Sequence, residues 1–333
     1  MPSKKGRRIF ASAVKSIIFV VFVFLATVAY LNKQYIIDSV VVWQFVPAAG
    51  VLDLVDRAGM NDNGKFFYLA SQPKIETAQD FNNNCQRTEA TTSILGCYNN
   101  GLIYIYNVTD AKLNGVREVT AAHEALHAIY SRMGEPEKSK INSLLESEYT
   151  KLISDSDFKE KMAFYDRSEA GRRDNELYSV IGTEVKSINP ELEAYYSQYF
   201  SDRQKVVALN QKYITVFKTI QDRASILKSE MDIIATDINE KTNQYNSDIE
   251  KLNNDIQSFN NNAQNNVFSS QDEFNDQRSQ LTSRVNSIDA LRVNINNEVK
   301  QYNLILAEYN SLAIQSQDLY KSIDSNLAPT PSI

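Results

Sequence analysis

Apolar spacing divides the chain into three regimes. From about Ile9 to Leu31 the residues are apolar almost without interruption, broken only by Lys15, with Lys4, Lys5, Arg7 and Arg8 just before them. Such a run predicts a single transmembrane helix over 9–31, long enough for ~30 Å of hydrocarbon once Lys15 snorkels to the interface. The basic tail, 1–8, then stays cytoplasmic, and the chain after about Asn32 lies outside a cell membrane crossed once. A cleaved signal peptide is the rival reading, because Thr27, Val28 and Ala29 resemble a small-residue cleavage site, although the apolar core is longer than a usual signal core. Residues 36–55 are apolar too, but Asp38, Pro47 and Asp53 interrupt them, and a charge at mid-bilayer is costly. They read as the first packed element of the exported domain.

Residues 32–201 are mixed in pattern. Within them ILGCYNNGLIYIYNV holds two β-rich runs flanking Asn100 and Gly101, an Asn-Gly hairpin signal that predicts strands near Ser93–Tyr98 and Leu102–Val108. From 202 to 326 glycine and proline are absent and apolar residues recur at alternating intervals of three and four. Ile220, Ala224, Leu227, Met231, Ile234 and Ile238 make one run, resumed after a stutter by Tyr245, Ile249, Leu252, Ile256 and Phe259. Leu281, Val285, Ile288, Ile295, Val299, Tyr302, Leu306 and Tyr309 make another, with Arg292 as a lapse. The polar SFNNNAQNNVFSS between them predicts a break, hence two long helices folded into an antiparallel coiled-coil hairpin. A coiled-coil partner or a homo-oligomer would use the same seam, and periodicity does not separate these pairings. Residues 327–333 read as a disordered tail.

Composition narrows the function. With 43% hydrophobic residues among 333, the chain has material for real cores, and a net charge of -6 argues against nucleic acid as a partner. Only two cysteines are present, Cys85 and Cys97, so no four-thiolate zinc site exists. Outside the cytoplasm they can close one disulfide around QRTEATTSILG; the alternative is two unrelated buried thiols.

The chemistry concentrates in VREVTAAHEALHAIYSRMG, which holds both histidines of the protein, His123 and His127, with Glu124 between them. On a helix, residues four apart share a face, so the two imidazoles can converge on one Zn2+ while Glu124 is directed at the water beside it. Asn114 is placed to cap this helix, alanines favour it and Gly134 suits its end. Val116, Val119, Thr120, His123, Leu126, His127 and Tyr130 fall on one inward stripe. A catalytic zinc site needs a third protein ligand, and with no third histidine a carboxylate must supply it. Downstream, NELYSVIGTE forms a predicted helix carrying Glu176 and Glu184, about 80° apart around its axis, and either could serve.

This HExxH segment with a later glutamate helix resembles the gluzincin metallopeptidases, the thermolysin-like and anthrax-lethal-factor-like zincins. In that group an Asn commonly precedes the ligand glutamate and a small residue follows three positions later, which Asn175 and Ser179 match around Glu176. Val180 stands where the group has an acidic or amide residue, so the support of the histidines departs from the pattern. The resemblance covers roughly 102–200 and implies an α+β zincin-like domain, with Glu176 as third ligand and Glu184 as its alternative. It further implies Glu124 as general base, an oxyanion donor among Tyr165, Tyr178 and Tyr195, and an edge strand at Leu102–Tyr106 that holds an extended peptide. The segments ILGCY, TAAHE and GTE are also similar to those of membrane-anchored bacterial proteins, which implies no substrate. The expected function is a membrane-anchored, extracytoplasmic zinc peptidase. The alternative is a catalytically inactive coiled-coil adaptor on the envelope.

Overall fold

Ten glycines and seven prolines in 333 residues leave little to interrupt helices, and most of the described residues are helical. The computed structural model describes the backbone of residues 4–86, 93–168 and 171–327, and side chains over 17–86, 93–167 and 171–327. The chain opens with α1 (Lys4–Leu31), α2 (Lys33–Gln44), α3 (Val51–Arg57) and α4 (Asp62–Ala70). A region with three strands follows, β1 (Lys74–Glu76), α5 (Ala78–Asn84), β2 (Gly96–Asn99) and β3 (Leu102–Tyr106). The helices α6 (Val116–Arg132), α7 (Glu135–Leu152), α8 (Ser156–Ser168), α9 (Arg173–Glu184) and α10 (Pro190–Tyr196) come next, and α11 (Arg203–Gln264) and α12 (Gln271–Ile323) complete the order. Most of the loop QRTEATTSILG and the tail beyond Leu327 lie outside the described residues.

The sheet runs β1-β3-β2, with β1 parallel and β2 antiparallel to β3. Asn100 and Gly101 take φ of 52° and 82°, the paired left-handed turn that an Asn-Gly step favours between twisted strands. Cys85, at the end of α5, is bonded to Cys97 on β2, which ties the hairpin to the α5 end. Because the bridge closes a loop of about a dozen residues, Cys97→Ala should lower stability by about 3 kcal/mol in a denaturant melt. An unchanged midpoint would remove the bridge from the stability of this region.

An α+β zincin-like domain does not describe this fold. The strands are only three to five residues long, and the sheet covers one side of α6 while helices enclose the rest. The reason lies in α6 itself. Ala121, Ala122, Ala125 and Ala128 are as buried as Val119, Leu126 and Ile129, so the helix is enclosed on several sides instead of presenting one apolar stripe. Its small side chains let α9 pack closely through Leu177, Tyr178, Val180 and Ile181. Asn114 does not cap α6: Gly115 holds the cap position with φ of 110°, and Asn114 Oδ1 accepts a hydrogen bond from Arg57 at 2.8 Å.

The expected transmembrane helix is also corrected. Among the described residues no single helix is long and apolar enough to cross a membrane. Apolar character continues from Ile17–Leu31 into Lys33–Gln44, but the two segments meet at a bend of 70°, and only together are they long and apolar enough to cross a bilayer. Asp38, read as an interruption, is buried and held by Arg132 of α6 in a two-point ion pair at 2.9 and 3.1 Å.

The chain forms two units, one comprising residues to Thr215 with those from Leu319 onward, the other Val216–Asp318. The first turns of α11 therefore belong to the first unit, beyond the boundary expected at 201. Arg203 is buried there, bonded to Glu193 and to the carbonyl of Val185. Within the second unit α11 and α12 run antiparallel, linked by ion pairs Arg223–Glu308, Lys241–Glu298 and Arg284–Asp255. Leu227, Met231, Leu252 and Ile288 are buried in the seam. Val285 and Val299, expected there, are 45% and 39% exposed, while Leu291 and Ile305 turn inward and Glu298 meets Lys241. The rhythm of α12 thus passes through Arg284, Leu291 and Glu298, polar positions included. Helix α11 continues through FNNNAQ to Gln264, and Phe259, Phe268 and Phe274 cluster at 5.1–5.3 Å around the turn. Leu227→Asp should cost this unit about 3 kcal/mol or more, because an unpaired charge replaces a fully buried apolar side chain. A melt of the second unit no different from the unaltered chain would place Leu227 outside the seam.

Candidate metal centre

Helical spacing puts His123 and His127 on one face of α6, and α9 packs across that face to bring Glu176 opposite them. His123 Nε2 lies 3.7 Å from Glu176 Oε2, and His127 Nε2 lies 3.4 Å from Oε1. One ligand atom from each residue falls within 4.8 Å of the others, and the group is buried. These separations exceed the ~2.8 Å of a charge-assisted hydrogen bond. They approach the ~3.3 Å between two ligand atoms each about 2.05 Å from a tetrahedral zinc. The donor set therefore fits a three-ligand zinc site. The Ser179 hydroxyl, one turn after Glu176, lies 3.2 Å from His127 Nδ1. An Nδ1–H donated to it leaves Nε2 free for a metal.

Burial drives His127 down to about 4 against the pull of Glu176, which favours the neutral imidazole that ligation requires. Burial also opposes charge on His123, but Glu176, Glu124 and Glu184 outweigh it and hold that imidazole above its ordinary value. Glu176 resists its own desolvation through the two histidines and Arg172, which keep its carboxyl below the usual range.

The group opens into a cavity of about 980 Å³ lined by residues 93–100, by Glu124 and Ser131 of α6, by α8 and α9, and by Tyr213 of α11. Glu124 is only 5% exposed and stands against Gly96. A Cβ on Gly96 would lie 2.7 Å from Glu124 Oε1 and 2.5 Å from Thr120 Cγ2, so only glycine lets β2 approach the glutamate this closely. Glu184 lines the same cavity but is engaged by Lys161 and stands outside the three-residue group.

Of the three tyrosines singled out, only Tyr165 lines the cavity. Burial, followed by the carboxylates of Glu176, Glu184 and Glu124, pushes its hydroxyl well above the ordinary value, so it keeps its proton and can donate. Tyr178 is packed among the rings of Tyr130, Tyr195 and Tyr196, and the Tyr195 hydroxyl donates to Glu137 at 2.8 Å. Leu102–Tyr106 is the central strand and not an edge; the strand beside the cavity is β2, the outer member of the sheet. Ser179, Gly96, Lys161 and Tyr213 were not assigned from the sequence. Only Ser179 left a signal there, as the small residue three positions after Glu176.

Comparison with family models, with curated proteins and with solved structures found no match for this chain.

Proposed function

We propose that the chain is a zinc-dependent hydrolase of peptide bonds. The observation that carries this reading is the convergence of His123, His127 and Glu176 within 4.8 Å, with a fourth buried residue, Glu124, facing the same cavity outside the ligand group. Zinc held there would supply Lewis acidity and lower the pKa of water toward neutrality. His123, His127 and Glu176 would hold the ion, and Ser179 orients His127. Glu124 accepts the proton of the attacking water and passes it to the leaving amine. Tyr165, which retains its proton, donates to the oxygen on which negative charge develops. The edge of β2 that no other strand pairs among the described residues offers main-chain groups to an extended peptide, a recognition mode that suits peptide bonds over other substrates.

Metal content of the full chain tests the reading. We expect about one zinc per chain, with the metal lost from His123→Ala and from His127→Ala. Unchanged zinc in either variant would strike that histidine from the ligand set, and an unaltered chain that binds no zinc would overturn the proposal.

A further inference from the structure

Helix α2 is apolar on two opposite faces. Asp38, Val41 and Val42 turn toward the first unit, whereas Ile36, Val40 and Trp43, spaced four and three residues apart, form an exposed outer stripe. Trp43 is 84% exposed, and nothing among the described residues covers the stripe. A soluble surface rarely leaves an indole so open. Two further features say what covers it. The stripe continues from α1, where every residue from Ile17 to Leu31 is exposed, an all-round apolar surface that suits hydrocarbon and not a groove on a protein. At the junction Lys33 lies 5.5 Å from the ring centre of the exposed Tyr30, and with Trp43 they make the aromatic and basic set favoured at the headgroup level of a bilayer.

We infer that α2 is an interfacial helix whose Ile36, Val40 and Trp43 stripe lies in the headgroup boundary of a lipid bilayer. The 70° bend supplies the geometry, because α1 pointing into the lipid lays α2 close to the plane of its surface. The inner face of α2 then sets the position of the candidate site. Asp38 holds Arg132, and the Arg132 guanidinium donates to the Tyr98 hydroxyl at 3.2 Å. Tyr98 and Ser131, whose hydroxyls lie 2.9 Å apart, line the cavity. With a helix about 10 Å thick between stripe and clamp, this rim of the cavity is held near the lipid surface. The inference stands on exposure and helix geometry and is independent of the metal.

Trp43 is the single tryptophan of the chain, so its emission reads the helix directly. The full chain is reconstituted in vesicles of phosphatidylcholine and phosphatidylglycerol. Phosphatidylcholine brominated near the headgroup end of its acyl chains should quench most of the emission, while acrylamide quenches several-fold less than it quenches free tryptophan. Ile36→Asp with Val40→Asp, both on the exposed stripe, should restore acrylamide quenching and relieve the bromolipid effect. Trp43 open to acrylamide and untouched by bromolipid would overturn the inference. So would Trp43 shielded from both quenchers, which assigns the stripe to a protein surface, or a double variant that behaves as the unaltered chain does.

Discussion

Glu124→Gln should keep its zinc and lose peptide hydrolysis by about 10²- to 10⁴-fold, the range for removing a positioned general base. The amide preserves the shape of a buried side chain that stands against Gly96 but cannot accept the proton. Glu176→Ala should differ in kind. It takes an oxygen from a group whose three ligand atoms lie within 4.8 Å, so zinc itself is lost and activity follows. Glu184→Ala should retain zinc, because the Glu184 carboxylate is engaged by Lys161. Metal analysis and cleavage of a generic peptide library, run on all three variants, separate the roles. Zinc lost from Glu184→Ala and kept in Glu176→Ala would reverse the ligand order, and hydrolysis undiminished in Glu124→Gln would remove that residue from the chemistry.

What the sequence made legible was local. An i, i+4 histidine pair fixes its own geometry once the segment is helical, and Asn100-Gly101 fixes a turn whatever surrounds it. Glu176 and Glu184 sit on one short helix, and their order at the site depends on how α9 crosses α6, a tertiary fact that also brings Lys161 of α8 onto Glu184. Tyr213 reaches the cavity from α11, whose periodic composition reads as coiled coil from its first turn. β-rich spacing revealed two strands but not that the central one is β3, because β1 is a three-residue segment without alternation and pairs in parallel from about thirty residues away. The long α-helices were visible in their spacing. The polar Asn32-Lys33-Gln34 marks an end to the apolar run after Leu31, but nothing in it tells that the chain resumes as a helix bent by 70°.

Asp38→Ala should be the most destabilising single change in the first unit outside its apolar core, at about 3–5 kcal/mol. Asp38 is buried on α2, and its carboxylate engages Arg132 at 2.9 and 3.1 Å near the end of α6, with Gln34 as a further donor at 3.0 Å. Removing the carboxylate leaves a mostly buried guanidinium that, among the described residues, has the Ala128 carbonyl at 2.9 Å and the Tyr98 hydroxyl at 3.2 Å to satisfy it. The charge then remains desolvated without a counterion. Most of the loss therefore comes from the stranded arginine and not from the attraction itself. The double variant Asp38→Ala with Arg132→Met tests that division, since an apolar side chain of similar length removes the stranded charge and should recover much of the stability. Denaturant melts of the three proteins provide the comparison. A loss below about 0.5 kcal/mol in Asp38→Ala would mean that solvent reaches Arg132 and that the contact between α2 and α6 is not a buried clamp. If the double variant is no more stable than Asp38→Ala, the carboxylate is needed for the packing of α2 itself, and the pair holds that helix in place beside the cavity by more than charge.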